Sequence, residues 1–276
     1  MNEEKIAMLK ERAKQLRKTA VTMIYEAQSG HPGGSLSTAD MVAALYFSEM
    51  HIDPQNPNWA DRDRFVLSKG HVCPILYSAL GILGYFPESV LHTLRQEGSM
   101  LQGHPSMVKC PGIDISTGSL GQGAACAVGM ALAGKRDGKD YRVFTMVGDG
   151  EINEGIVWEA MMCANKYKLD NYIMLFDNNG LQLDGTTDQI MPGLDMSKKA
   201  ADFGFDVYEI DGHDMAQILD TFDKIRAAKN GKPKFINAHT VKGKGVDYME
   251  NSLDWHGKAP NKEQYESAME QLERGI

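Results

Sequence analysis

The 276-residue chain is long enough for one large α/β domain or two small ones, and its composition (42% apolar, 24% charged) is that of an ordinary globular protein. A formal net charge of -8 argues against a nucleic-acid binder, which would carry a basic patch. No apolar run approaches the length of about 18 residues that marks a membrane helix. The charged amino terminus lacks a signal-peptide pattern, and the four cysteines lie far apart without CxxC pairs. These features predict a cytoplasmic protein with reduced thiols, no membrane association and no nucleic-acid partner.

The first third of the chain is predicted to alternate helices and loops. Residues 4–28 carry apolar side chains at helical spacing, which predicts an amphipathic helix. The glycines and proline of residues 30–34 predict a loop. A second helix is expected over Ser37–Met50, capped at Ser37 or Thr38, and Arg64–Leu67 predicts a short buried strand.

The middle of the chain predicts a strand–helix–strand unit. Arg142–Val147 is an apolar strand pattern followed by a Gly-Asp-Gly turn, and Glu154–Lys168 has a helical pattern. Asn171–Phe176 is a second apolar strand, followed by a turn over Asp177–Gly180. A unit of this kind requires parallel strands and a right-handed crossover.

The rest of the chain continues the alternation of strands and helices. Strands are expected at Asp206–Ile210 and Phe235–Ala238, with a helix over residues 214–229 between them and a polar, helix-like tail over Asn261–Ile276. The tail favours a natural end over truncation of a longer protein. No repeat, low-complexity segment or linker divides the chain, so we predict one α/β domain over residues 1–276. Its fold is a doubly wound, mostly parallel sheet with helices on both faces.

Two polar residues that follow neighbouring strands predict a metal site. Asp149 and Asn179 each come just after an apolar strand, and the crossover helix brings the two turns side by side. Carboxylate and amide oxygens suit Mg²⁺ or Ca²⁺ rather than zinc. Gly148 and Gly150 allow close approach of the backbone to an anion. The sequence therefore predicts a metal-bridged diphosphate at a helix amino terminus.

The motifs together resemble those of transketolases. The segment from Gly148-Asp149-Gly150 to Asn179 resembles the thiamine diphosphate motif, and four further motifs are similar to transketolase motifs and occur in transketolase order. They are Ser29–Gly33, Asp61–His71, Gly103–Pro105 and Thr117–Gly123. The similarity covers about residues 12 to 260. It implies the thiamine diphosphate-binding fold, and within it the domain that binds the diphosphate.

The resemblance also implies individual residue roles. Mg²⁺, or Ca²⁺ or Mn²⁺ in its place, would be bound by Asp149, Asn179 and the backbone carbonyl of Leu181. The resemblance implies that His71, His256 and the Gly150 N–H bind the diphosphate. It places Gly118, Ser119 and Leu120 at the aminopyrimidine end of the cofactor. It places Glu154 in a carboxylate network at the subunit interface. Ser119 stands where many full-length transketolases have proline, a difference expected to alter loop stiffness more than chemistry.

Three histidines are expected to face the substrate. The resemblance assigns this role to His31, His104 and His256, which would hold hydroxyl groups or assist proton transfer. The residues support it independently for His31 and His104, because each lies in a turn with glycine or proline and imidazole titrates near neutrality. The other histidines outside the motifs are read as structural or surface residues: His51, His92, His213 and His239.

The resemblance implies transfer of a two-carbon ketol unit from a ketose, or ketose phosphate, to an aldose. In this cofactor class an activating glutamate lies in a pyrimidine-binding domain, which normally follows the present one and is not in this sequence. We therefore expect an α2β2 assembly with a separate transketolase subunit that supplies the carboxy-terminal half. The alternatives are the α subunit of a 2-oxo-acid dehydrogenase E1 component, a 1-deoxyxylulose-phosphate synthase, and a non-catalytic regulatory subunit. The Asp61–His71 and Gly103–Pro105 motifs favour transketolase.

Overall fold

The computed structural model describes residues 2–192 and 195–275. A five-stranded sheet lies at its centre, and all of the paired strands run parallel. The order across the sheet is β1-β2-β3-β5-β4. The strands are β1 (Arg64–Leu67), β2 (Val143–Gly148), β3 (Tyr172–Asn178), β4 (Asp206–Asp211) and β5 (Lys234–His239). All five predicted strands are confirmed.

Helices connect these strands and flank the sheet. In the described part of the chain they are α1 (Glu3–Ala27), α2 (Pro32–Ser37), α3 (Ala39–Ala44), α4 (Cys73–Leu83), α5 (Gln122–Arg136), α6 (Gly155–Lys166), α7 (Thr187–Ile190), α8 (Met196–Asp202), α9 (Met215–Ala227) and α10 (Lys262–Arg274). A single π-helical turn extends α3 over Leu45–Glu49, and short 3₁₀ turns include Gly70–Val72 and Glu151–Asn153. None of the helices in the described ranges combines the length and apolarity that a membrane span requires.

The sheet is covered on both faces. Along β2, Phe144 and Met146 belong to the apolar cluster formed with α1, α3, α4 and α9, whereas Val143 and Val147 belong to the cluster formed with α5, α6 and α8. The Phe144 ring packs edge-on against Phe222 of α9, with 6.2 Å between ring centroids. Successive strand side chains point to opposite faces, so a strand buried on both faces is apolar throughout. The predicted doubly wound α/β fold is confirmed.

The region between α1 and β1 differs from the prediction. Residues 32–37 form the short helix α2, where the sequence predicts a loop over residues 30–34. Thr38 is the N-cap residue of α3, in agreement with one of the two predicted caps, but its side chain makes no capping hydrogen bond. Pro32 stands in the first helical turn, where its fixed φ is favourable. A Cβ at Gly33 would lie 2.9 Å from the Trp255 carbonyl oxygen, and one at Gly34 would lie 2.5 Å from Val72 Cγ1. These glycines therefore permit close packing of a helix and do not mark a loop.

The helices near the two ends of the chain, α1 and α10, pack against each other. The amphipathic α1 buries Leu9, Leu16 and Met23, as predicted, and it ends at Gln28, which adopts a left-handed conformation. The predicted helical tail is confirmed as α10, which begins at an Asn261 capping box. A small apolar cluster joins α1 and α10 to the segment over residues 246–255. This segment leads directly into His256.

Candidate active site

The loops at the carboxyl ends of four adjacent strands, β1, β2, β3 and β5, enclose a cavity of about 280 Å³. Ligands of open α/β sheets bind at this edge. Polar and charged side chains line the cavity on several sides: His31, Lys69, His71, Asp149, Glu151, Asn179, Lys242 and His256. Glycines and leucines, among them Gly118, Leu120, Gly150 and Leu181, complete the lining.

Most of the residues chosen from the sequence are brought together at this cavity. Nine of them line it: His31, His71, Gly118, Leu120, Asp149, Gly150, Asn179, Leu181 and His256. His104, Ser119 and Glu154 are exposed and lie outside its lining. The His104 ring nevertheless contacts Gly118, because a Cβ at Gly118 would lie 2.8 Å from His104 Cδ2. The structure thus supplies positions for these residues, and their individual roles stay predictions.

The side chains of Asp149 and Asn179 form the centre of the predicted metal site. The backbone N–H of Asn179 donates to Asp149 Oδ2 at 2.9 Å, which joins the turns after β2 and β3. Asp149 Oδ1 is buried and has no hydrogen-bond partner among the residues that the structure describes. Burial, reinforced by the charge of Asp177, raises the pKa of Asp149 to about 7. A cation at Oδ1 would compensate for the cost of burying an unpaired carboxylate oxygen.

The available donors suit a hard divalent cation. Within residues 2–192 and 195–275, no group of three or more His, Cys, Asp and Glu side chains is arranged to hold a metal. The Asp149 carboxylate, the Asn179 amide oxygen and the Leu181 carbonyl provide oxygen ligands only. Mg²⁺ is commonly bound by one or two carboxylates together with substrate phosphates. The residues present therefore fit a magnesium-type ion that also binds a phosphate ligand.

Four charged residues to which the sequence analysis assigned no role lie at or beneath the cavity: Lys69, Glu151, Asp177 and Lys242. Lys69 and Asp177 form a buried ion pair, with 2% and 0% of the respective residues exposed. Lys69 follows β1 closely and Asp177 is the penultimate residue of β3. Their positions at the carboxyl ends of strands were the signal that could have identified them.

The Glu151 carboxylate connects three of the loops that enclose the cavity. It accepts hydrogen bonds from the Ser68 hydroxyl at 2.5 Å, from the Gly121 N–H at 2.8 Å and from the Gly148 N–H at 3.3 Å. Burial raises its pKa, and the hydrogen bond from Ser68 opposes that rise. The bonds fix the ends of β1 and β2 relative to the start of α5.

Lys242 provides a positively charged group on the opposite side of the cavity. Its Nζ lies 3.0 Å from His256 Nδ1 and donates to the Gln182 carbonyl at 3.3 Å. Burial, together with the charge of Lys69, lowers the pKa of Lys242 to about 8. The ammonium is still the main form at neutral pH, and it can attract the anionic part of a ligand.

Three histidine rings form one cluster in the cavity. The His31 ring centroid lies 5.0 Å from that of His71 and 5.4 Å from that of His256. Burial lowers the pKa of His71 to about 2, assisted by Lys69, and lowers the pKa of His31 to about 4, assisted by Arg95. Burial and Lys242 lower the pKa of His256 to about 4. The three rings are therefore neutral at pH 7, able to donate a hydrogen bond from one nitrogen and accept one at the other.

Comparison with known proteins places the chain in a defined family. The model of the transketolase thiamine diphosphate-binding domain matches residues 8–273. A transketolase from Campylobacter jejuni superposes with a TM-score of 0.92 at 36% identity, covering 99% of this chain and 43% of that one. The fold is that of a thiamine diphosphate-binding domain. The chain belongs to the transketolase family, as the sequence motifs predicted.

Two further relatives have nearly the same length as this chain. One is a subunit of the apulose-4-phosphate transketolase of Phocaeicola vulgatus, which is 44% identical, with 94% of this chain and 92% of that protein aligned. The 6-deoxy-6-sulfo-D-fructose transketolase subunit SqwG of a Clostridium species is also 44% identical, over 99% of both chains. Mouse transketolase is 40% identical, and the chain spans only 43% of its length.

The neutral histidines should make stability depend on pH. The folded pKa of His71 lies well below the ordinary value of 6.5, so unfolding takes up a proton as the pH falls below 6.5. His71 therefore contributes a decrease in the free energy of unfolding from pH 6.5 to 4, whereas Asp149, with its raised pKa, contributes in the opposite direction. In His71→Asn the histidine contribution is absent, so the loss of stability with falling pH should be smaller than in wild type, by at most about 1.4 kcal/mol per pH unit. Urea denaturation at several pH values tests this, and equal slopes for variant and wild type would contradict it.

Proposed function

We propose that the chain is the cofactor-binding subunit of a two-chain transketolase, which transfers a two-carbon ketol unit from a ketose or ketose phosphate to an aldose or aldose phosphate. One observation carries the proposal. The Asp149–Asn179 pair, a lysine and three neutral histidines converge on a single cavity in a chain of this family. The near-equal length of the two relatives that are named as subunits supports a division into two chains.

The cavity would hold thiamine diphosphate together with Mg²⁺, for which Ca²⁺ or Mn²⁺ could substitute. Asp149, Asn179 and the Leu181 carbonyl would bind the ion, while the Gly150 N–H and His71 would bind the diphosphate. Lys242 would add a positive charge beside these groups. When bound, thiamine diphosphate supplies a carbon nucleophile for attack on a ketose carbonyl. The protein binds, orients and shields that group in a largely buried cavity.

The substrate would approach from the side of the histidines. His31 and His256 line the cavity, and His104 lies at its edge against Gly118. A neutral imidazole can donate to a sugar hydroxyl or accept a proton from it, whereas a permanently charged ring could only donate. Their lowered pKa values keep the rings neutral and support a role in holding hydroxyl groups by hydrogen bonds. The values of about 4 make His31 and His256 weak bases at pH 7, in contrast to the near-neutral titration expected from the sequence.

The partner would be a carboxy-terminal, pyrimidine-binding transketolase subunit in an α2β2 assembly, with this chain as a single domain in the cytoplasm. Exposed residues beside the cavity support a contact between subunits. Glu154 is exposed at the start of α6, and Ser119 is exposed next to the cavity-lining Gly118 and Leu120. We place the aminopyrimidine end of the cofactor, and the partner, on this side.

The activity is tested by combining the purified chain with its proposed partner subunit. A ketose phosphate and an aldose, with thiamine diphosphate and Mg²⁺, should give ketol transfer only when both chains are present. A 2-oxo acid in place of the ketose should give no turnover. Full ketol transfer by this chain alone would contradict the two-chain proposal, and turnover of the 2-oxo acid alone would favour an E1 component.

Replacement of Asp149 should abolish metal-dependent cofactor binding in the assembled enzyme. Asp149→Ala removes the one carboxylate of the proposed metal site, and we expect a loss of cofactor affinity of at least about 100-fold, as for loss of a buried charged ligand. Calorimetric titration with thiamine diphosphate and Mg²⁺ measures it. Asp220→Ala, at a half-exposed carboxylate of α9 that pairs with Lys224, is the matched control and should bind normally. Unchanged affinity of Asp149→Ala would refute the metal assignment.

Replacement of His104 should impair turnover more than cofactor binding. The ring lies at the cavity edge and outside its lining, so His104→Ala should reduce kcat/KM for the sugar by about 10²-fold, the usual size of a lost acid–base or positioning group. Affinity for thiamine diphosphate should change by less than about threefold. His239→Ala, at an exposed histidine paired with Glu209, serves as the control. Equal losses of turnover and cofactor affinity would count against a substrate role.

A further inference from the structure

Asp177 is a fully buried carboxylate to which the proposed function gives no role. It is 0% exposed near the end of β3, and four side chains from four different segments bind it. They are Ser37 of α2, Lys69 after β1, Asn179 after β3 and Thr240 after β5. A buried carboxylate is tolerated only with such a complete set of donors.

The four contacts divide between the two oxygens of Asp177. Oδ2 accepts from Ser37 Oγ at 2.7 Å, from Asn179 Nδ2 at 3.1 Å and from Lys69 Nζ. Oδ1 accepts from Thr240 Oγ1 at 2.5 Å. The Lys69 ammonium can only donate, and the carboxylate that forms the buried ion pair with it has no hydrogen to donate. Asp177 is therefore an acceptor at every contact.

This acceptor determines which way the Asn179 amide faces. The nitrogen Nδ2 donates to Asp177, and the oxygen Oδ1 accepts from the Leu181 N–H at 3.2 Å. Rotating the amide by half a turn would bring its oxygen against the Asp177 carboxylate and its NH₂ group against the Leu181 N–H. Both new contacts would be repulsive, so one orientation is strongly preferred. In that orientation the amide oxygen keeps a lone pair for a cation.

We propose that Asp177 is a positioning residue, which fixes the Asn179 amide so that its oxygen, and not its nitrogen, is presented to the divalent cation. This inference rests on the proposed cofactor and metal site. The hydrogen bond from Asn179 to Asp149 Oδ2 comes from the backbone N–H and does not depend on the orientation of the amide, so the positioning effect concerns the Asn179 side chain alone.

The competing explanation is that Asp177 serves only as the charge partner of Lys69. A double-mutant cycle separates the two, because residues that act through one another give non-additive effects. The variants are Asp177→Asn, Asn179→Ala and the double variant. The probe is Mn²⁺, followed by electron paramagnetic resonance on the full chain in the presence of thiamine diphosphate. Thermal unfolding without ligands is measured in parallel.

We expect Asp177→Asn to weaken Mn²⁺ binding by about tenfold or more, as loss of an oriented ligand would. In the Asn179→Ala background the same substitution should have less than about a twofold effect. Thr240→Val, which removes one donor to Asp177 but leaves the amide contact, is the matched control and should change affinity by less than about threefold. Equal losses in both backgrounds, or unchanged affinity of Asp177→Asn, would overturn the proposal.

A second variant tests the inference without altering Asp177. Asn179→Asp adds negative charge to the metal site, which alone should strengthen cation binding. It also replaces the NH₂ group that faces Asp177 by an oxygen, so we expect weaker Mn²⁺ binding than in wild type. Tighter binding would overturn the positioning role. Absence of Mn²⁺ binding by wild type with thiamine diphosphate would instead overturn the proposed function, and the inference with it.

Discussion

The hydrogen bond from the Asn179 N–H to Asp149 joins the two turns around which the cavity is built. It depends on the register of the sheet, in which Gly148 of β2 pairs with Asp177 of β3. Because these strands are parallel and end together, the residues that follow them meet at one edge. A shift of one residue in either strand would separate the carboxylate from the amide and reverse the faces of every side chain in that strand.

The cavity combines positive charge with neutral hydrogen-bonding rings, since Lys242 Nζ lies 3.0 Å from His256 Nδ1. Lys69 and Lys242 are cationic groups, and their proximity, added to burial, disfavours protonation of His71 and His256. The lysines can attract an anion while the imidazoles keep one donor and one acceptor each. Lys69 is further compensated by Asp177, so its positive charge does not have to be balanced by a ligand.

Much of the fold could be predicted from local patterns, since β2 and β3 are apolar runs bounded by turn residues and α1 has a clear helical period. The same reasoning located Asp149 and Asn179, because both directly follow such strands. It failed at α2, where glycines are required by the proximity of Trp255 and Val72, residues distant in sequence. It also passed over Lys69, Asp177 and Lys242. Lys69 and Asp177 do lie at the carboxyl ends of strands, but the contacts that distinguish these residues join segments distant in sequence.

The packing of α10 against the segment before His256 ties a peripheral helix to the cavity. Gln271 of α10 accepts a hydrogen bond from the Asp247 N–H, and Tyr248 donates to the Gln264 carbonyl. The same apolar cluster includes Leu272 and the Trp255 ring. We therefore expect the cavity wall around His256 and α10 to unfold locally as one unit, so that fraying of α10 would disrupt the cavity before the sheet is disturbed.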